Sequence, residues 1–243
     1  MISSGLPFPF PLDKSVIFHR RALILPQLLS QDDEFCRIPS GLPGAVTLSS
    51  MLQLYDRLFF SGFLLKRFPQ LRVTLSSRLT SSAGKFIYVR GAFGRISQTE
   101  IRMSSDFLTR LHEGPFLLNG LSVATAQEAF LVVFEHELCH AAEAALYRST
   151  GHSDRFLALA NGLFGHTATR HSLPTRKQEA AQDGLYIGSK VSFSHDGKHL
   201  QGIVSYIGKS VTVMVPSISG PYRDQRGRRY EKYRVPPHRI NLL

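Results

Sequence analysis

The sequence predicts an α+β fold in two parts, a mixed helix-and-strand domain over residues 46–183 and a small β-barrel over residues 184–243, behind a partly irregular lead-in of residues 1–45. Three observations carry this reading. A capping signal at Thr125 opens an apolar run with no breaker before Gly151, which is a long helix. Three runs rich in β-branched or aromatic residues lie between positions 71 and 103, separated by Gly and Ser clusters, and read as strands. Beyond Gly184 the pattern changes to short strands at even spacing. A chain of 243 residues can bury a proper core, and 19% charged with 10% aromatic residues is globular rather than disordered composition.

Each element follows in turn. The lead-in holds many prolines, an acidic run at Asp32-Asp33-Glu34, and one stretch, Val16 to Leu29, apolar enough to pack onto something. From Thr47, read as an N-cap, apolar residues at 48, 51, 52, 55, 58 and 59 share one helical face, and the helix ends near Gly62. Strands at Leu71–Ser76, Lys85–Arg90 and Thr99–Met103 suggest a small antiparallel sheet, closed by a short helix from Asp106 to His112. The helix after Thr125 is about 36 Å long at 1.5 Å per residue. Ser153 caps a second helix carrying Phe156, Leu159 and Phe164. The last part offers strands at Lys190–Phe193, Leu200–Ile207, Ser210–Val215 and Tyr230–Val235, with Asp196-Gly197 as a hairpin turn.

Charge narrows the partners. Lys and Arg number 29 against 18 Asp and Glu, giving +11, an excess that usually answers a polyanion. Residues 186–243 hold ten Lys/Arg and three Asp/Glu, so +7 of the +11 sits in the last 58 residues. The two cysteines, Cys36 and Cys139, are far apart and form neither a disulfide framework nor a cysteine zinc ribbon, which favours a reducing compartment. Pro7, Pro9 and Pro11 break the N-terminal apolar run before signal-peptide length, and no stretch approaches the ~20 apolar residues of a membrane span. The expectation is an intracellular chain with no membrane partner.

The chemistry is carried by His136-Glu137-Leu138-Cys139-His140, an HExxH motif in the middle of the strongest helix. Two histidines four apart share a helical face, so His136 and His140 can reach one metal ion. Glu137 projects beside that face and can take a proton from water that Zn2+ acidifies, which makes it the candidate general base. With ten His and nine Glu in the chain, random order gives roughly 0.015 such motifs, so chance is a poor explanation. A catalytic zinc needs a third protein ligand. Glu143 and Leu146 stand where a metzincin would have glycine and histidine, so that class is rejected. His152, just past the helix end, is one candidate; Glu179, His166 and His171 are the others. Glu143, three residues after His140, can orient a ligand, and Cys139 points away from the metal face as a buried thiol.

These residues resemble a known family. Leu54-Tyr55-Asp56 with Phe59, Ser77-Arg78 before Ala83-Gly84, Glu100 to Ser104, His136 to Ala141, Gly151-His152 with Phe156, and Phe164-Gly165 together resemble the SprT-like (Spartan-like) metallopeptidases over residues 47–165. The resemblance implies a zincin-like domain, His152 as the third metal ligand, and cleavage of proteins bound to or crosslinked on DNA, with nucleoid or chromatin association. Many relatives carry a C-terminal zinc ribbon, for which this chain lacks the cysteines.

In its place stands the basic β-module, similar to an SH3-like or KOW-type barrel. Arg223, Arg226, Arg228, Arg229, Lys232 and Arg234, interleaved with Tyr222, Tyr230 and Tyr233, combine phosphate-seeking charge with stacking faces and point to DNA. Two rival readings stand beside the peptidase of DNA-associated proteins: a nucleic-acid-binding protein with a structural zinc site, and a peptidase of free cytosolic proteins. Glu137 argues against the first, since a structural site needs a fourth ligand and no base.

Overall fold

The computed structural model describes residues 5–91, 96–111, 114–169 and 175–243. The chain divides into two compact units, Met1–Leu173 and Pro174–Leu243. Among the described residues no helix is long and apolar enough to cross a membrane.

In the first unit, residues expected as a lead-in contribute to the same core as the rest. Helix α1 (Lys14–Leu29) buries Ile17, Ile24 and Leu28, and the short α2 (Asp33–Cys36) buries Phe35 against Phe130. The acidic run supplies the stitching. Asp32 accepts hydrogen bonds from Glu34 N and Phe35 N at the start of α2, and from Gly44 N and the Thr47 hydroxyl at 2.9 and 2.5 Å. Helix α3 (Ala45–Phe60) therefore starts before Thr47, whose hydroxyl is spent on Asp32 instead of capping. Asp56, buried near the end of α3, accepts from Leu64 N and Leu65 N and so fixes α4 (Phe63–Arg67).

Three strands follow, β1 (Arg72–Ser76), β2 (Gly84–Arg90) and β3 (Ile96–Ser104), in the order β1-β3-β2. The sheet is mixed, not antiparallel as expected: β2 pairs β3 antiparallel, while β1 pairs β3 parallel. The chain reverses between β1 and β2 and again between β2 and β3, so β1 and β3 run the same way, and the sequence pattern does not say which strands become neighbours. Helix α5 is shorter than expected, Ser105–Leu108, and the expected end at His112 lies outside the described residues. A hairpin of β4 (Phe116–Leu118) and β5 (Leu121–Val123) turns at Asn119 and Gly120, both at positive φ (50° and 80°) as a tight hairpin turn demands.

Helix α6 (Ala126–Tyr147) has the complete Thr125/Glu128 capping box and ends at Arg148 in the left-handed region. Its residues from Ala129 to Leu138 are nearly all buried, and from Ala129 to Phe134 the sequence is apolar on every side rather than striped. Helix α7 (Asp154–Phe164) is capped by Ser153 and packs on α6. Tyr55, Phe59, Phe134 and Phe164 meet with ring centroids 4.8–6.1 Å apart and lock α3, α6 and α7 together.

The second unit opens with α8 (Arg176–Gln182). Its sheet comprises β6 (Lys190–His195), β7 (Lys198–Ile207), β8 (Val211–Pro216), β9 (Tyr222–Arg223), β10 (Arg229–Val235) and β11 (Asn241–Leu242), in the order β11-β6-β7-β8-β10-β9 with every pairing antiparallel. Leu185, Val191, Phe193, Val204, Val211, Val213 and Val235 form its own core. Where a barrel was expected, the sheet has two ends: no described pairing joins β11 to β9.

Candidate metal centre

Helix α6 sets His136 and His140 one turn apart on the same face. The chain then turns back, and Glu143 holds the turn: its buried carboxylate accepts from Gly151 N at 2.9 Å and the Ser153 hydroxyl at 2.6 Å. His152 lies between those two anchors. One nitrogen or other ligand atom from each of His136, His140 and His152 falls within 4.8 Å of the other two, and His136 Nε2 and His152 Nε2 approach to 3.0 Å. Phe156, fully buried on α7, closes one side: its ring stacks on His140 at 4.3 Å and meets His136 and His152 edge-on at 4.9 Å each.

The donor set suits zinc. With zinc–nitrogen bonds of about 2.0–2.1 Å, two ligands of a tetrahedral site stand about 3.3 Å apart, close to the His136–His152 approach. His140 Nδ1 is buried without a hydrogen-bond partner among the described residues. Burial, aided by His152, lowers the His140 pKa to about 4, so the ring is neutral at pH 7, the form in which imidazole binds a metal.

Glu137, next to His136 in the chain, packs onto β2. It is 5% exposed, and its side chain lies so close to the first residue of the strand that a Cβ on Gly84 would stand 2.7 Å from its Cγ and Oε1. Burial pushes its carboxyl up to about 8, only partly offset by a backbone hydrogen bond from Phe86.

A second polar group lies beneath the same helix, and sequence reasoning missed it. Glu135, fully buried, is paired with Arg21 of α1 through two nitrogens, one of them at 2.7 Å, and is bonded to the Tyr55 hydroxyl and to His166 Nε2, each at 3.0 Å. Arg21 also donates to Phe164 O at 2.8 Å. Burial alone would push the Glu135 carboxyl up; the Arg21 charge and the bonds from His166 and Arg21 outweigh it, and the group stays below its ordinary value. The partners are 114, 80 and 31 positions from Glu135, so no local pattern announces them.

Three other candidate ligands remain. His166 belongs to the Glu135 group, Glu179 is on α8 in the second unit, and His171 lies outside the described residues. Cys139 is fully buried, and burial, with the nearby carboxylates, pushes its thiol pKa well up.

The six basic residues singled out near the C-terminus do not share a face. Arg223 and Arg229 are cross-strand partners, Arg228 is held by Asp224 at 2.8 Å, and Arg226 sits in the turn between. Lys232 and Arg234 are exposed on β10 and point to the face opposite the core. Of the three tyrosines, Tyr230 is buried with its hydroxyl on Asp224, and Tyr233 is half-buried with its hydroxyl on Glu231; Tyr222 alone is exposed.

A family model, that of the SprT-like family, matches residues 48–177, more than half of the chain. The match runs from within α3 through α7, takes in all three histidines and Glu137, and begins after α1 and α2. Among curated proteins, none matches the chain.

Proposed function

The chain belongs to the SprT-like family, and from that premise we propose that it is a zinc metalloendopeptidase acting on proteins bound or crosslinked to DNA. The observation that carries the reading is the convergence of His136, His140 and His152 beside a buried carboxylate, Glu137. When bound, zinc polarises the scissile carbonyl and makes water a stronger acid. The imidazoles of His136, His140 and His152 would hold the ion. Glu137 takes the proton from the attacking water and hands it to the leaving amine nitrogen. Its raised pKa of about 8 belongs to the metal-free site, and a divalent charge bound alongside would favour the carboxylate form. Glu143 keeps His152 in place by fixing the residues on either side of it.

DNA enters through charge. The second unit carries most of the net +11, and a surface of that sign attracts a polyanion at long range. The structural-zinc alternative is disfavoured because the cluster, among the described residues, holds three ligands and not four.

The test uses two variants. Glu137→Gln keeps its size and is expected to retain one zinc per chain while cleavage of an unstructured protein substrate falls about 10²- to 10⁴-fold. His152→Ala is expected to bind zinc more weakly. Wild-type cleavage by the Gln variant would remove Glu137 from the mechanism, and undiminished zinc in the Ala variant would move the third ligand. Equal cleavage of free and DNA-bound substrates, with no stimulation by DNA, would leave a peptidase of free proteins.

A further inference from the structure

Strand register sorts the second unit's side chains onto two faces, because residues alternate across a strand and cross-strand partners share a side. Val191, Phe193, Val204, Val213 and Val235 define the core face. On the opposite face, Tyr206 and Arg234 flank Thr212 in one row, and Lys190 and Lys232 end the next row through Ile203 and Met214. Tyr222 pairs with Tyr230 in a third row. Lys190, Lys232 and Arg234 are exposed, and so are the two tyrosines, Tyr206 at 55% and Tyr222 at 46%. Glu231, the single carboxylate within the six strands, is on the core side, bonded to Ser217 and Tyr233. The charged strand residues of the outer face are therefore all cationic, with an aromatic ring at each of two opposite corners; the one carboxylate that reaches it, Asp224 at the Tyr230 hydroxyl, is paired with Arg228.

Both rings are backed. Lys232 Nζ lies 5.6 Å from the centre of the Tyr222 ring, so charge and stacking surface adjoin. Tyr206 lies against the backbone of Gly208, where an added Cβ would stand 2.7 Å from its Cε1. Tyr206 was not among the residues singled out from the sequence; a shift of register between Val204 and Tyr206 turns it outward onto this face. Three strand spacings and four residues of rise separate the rings, a diagonal of about 19 Å.

We infer that this face binds single-stranded nucleic acid, with bases stacked on Tyr206 and Tyr222 and phosphates on Lys190, Lys232 and Arg234. This rests on the reading of the second unit as the nucleic-acid-binding part. Charge complementarity selects a polyanion, and the aromatic corners select the form of it. The bases of a duplex are stacked on one another and offer no free face to a tyrosine, whereas those of a single strand do. A four-stranded sheet with aromatic side chains on one face is a known way to stack two or three bases.

The experiment is fluorescence anisotropy of the full-length protein with labelled oligo(dT), oligo(rU) and a hairpin duplex of mixed sequence, across a salt series. Single strands are expected to bind more tightly than the duplex. Tyr206→Leu and Tyr222→Leu, which keep apolar bulk, are each expected to weaken single-strand binding about 5- to 100-fold with little change in salt slope. Three phosphate contacts predict a slope of log K against log salt of about −2.1, and Lys232→Ala should make it shallower by about 0.7. The comparison of oligo(dT) with oligo(rU) says which sugar is preferred, and either preference supports the inference. Equal or tighter duplex binding, or full affinity in both leucine variants, overturns it. Zinc content and cleavage of a free protein substrate are measured on the same samples. Binding without cleavage would sink the peptidase reading alone, and cleavage without single-strand binding would sink this inference alone.

Discussion

Adding one methyl group at Gly84 tests how the base is positioned. A Cβ there would stand 2.7 Å from both Cγ and Oε1 of Glu137 and 3.0 Å from its Cδ, where ordinary contacts run from 3.4 Å, so the carboxylate or the strand must yield by about 0.7 Å. Glu137 cannot swing into solvent, because it is 5% exposed within a stretch of α6 whose residues are nearly all buried. Overpacking of this kind destabilises by about 1–3 kcal/mol. A misplacement near 1 Å can cost about 10²-fold in rate. Gly84→Ala is accordingly expected to keep its zinc, to unfold at lower temperature, and to lose roughly 10- to 100-fold in kcat on an unstructured protein substrate. Gly151→Ala is the control: it neighbours His152, yet nothing lies within 4 Å of its added Cβ, and its N–H to Glu143 is preserved. Wild-type kcat and stability in Gly84→Ala, or an equal loss in Gly151→Ala, would refute the reasoning.

Other perturbations read other parts of the same unit. Glu143→Ala frees the two donors that flank His152 and is expected to weaken zinc binding about 10- to 100-fold in a metal-competition titration. Arg21→Met strands the buried Glu135 charge and is expected to destabilise by about 3 kcal/mol in urea unfolding, with much of that recovered in Arg21→Met/Glu135→Gln. In metal-free protein the Glu137 carboxyl titrates near 8 folded and near 4.5 unfolded, so the unfolded chain gives up its proton first and stability falls as pH rises between those values. Metal-free Glu137→Gln lacks that slope, and its advantage over wild type is expected to grow by roughly 4 kcal/mol from pH 4.5 to pH 8; a constant difference across the range would show that Glu137 is not the buried group.

How far the sequence can be read depends on the distance over which the information is held. The α6 capping box, the helix and the HExxH motif are local, and Thr125, Glu128, His136 and His140 are legible within a few turns. The Asn119-Gly120 turn between β4 and β5 was equally local and was overlooked. The reassignment of Thr47 from cap to partner of Asp32 needed contact across 15 positions, and the Arg21–Glu135 pair across 114. Neither leaves a periodic trace. Strand positions between residues 71 and 103 were readable from composition, but their order was not, because an isolated strand does not encode its neighbour. The basic C-terminal residues were visible as a cluster along the chain; alternation along β10 and the turn at Asp224 distribute them to different sides.

Cys139 sits between the metal-site residues with no exposed surface, whereas Cys36 is exposed. A thiol reagent added to the native protein therefore meets two different clocks. Cys36 reacts at the rate set by its own chemistry, and Cys139 reacts only when the interior around α6 opens, because the thiolate is the reactive form and burial suppresses it. The ratio of the two labelling rates gives the opening free energy of the helix that carries His136 and His140, without an added probe and on the undisturbed chain.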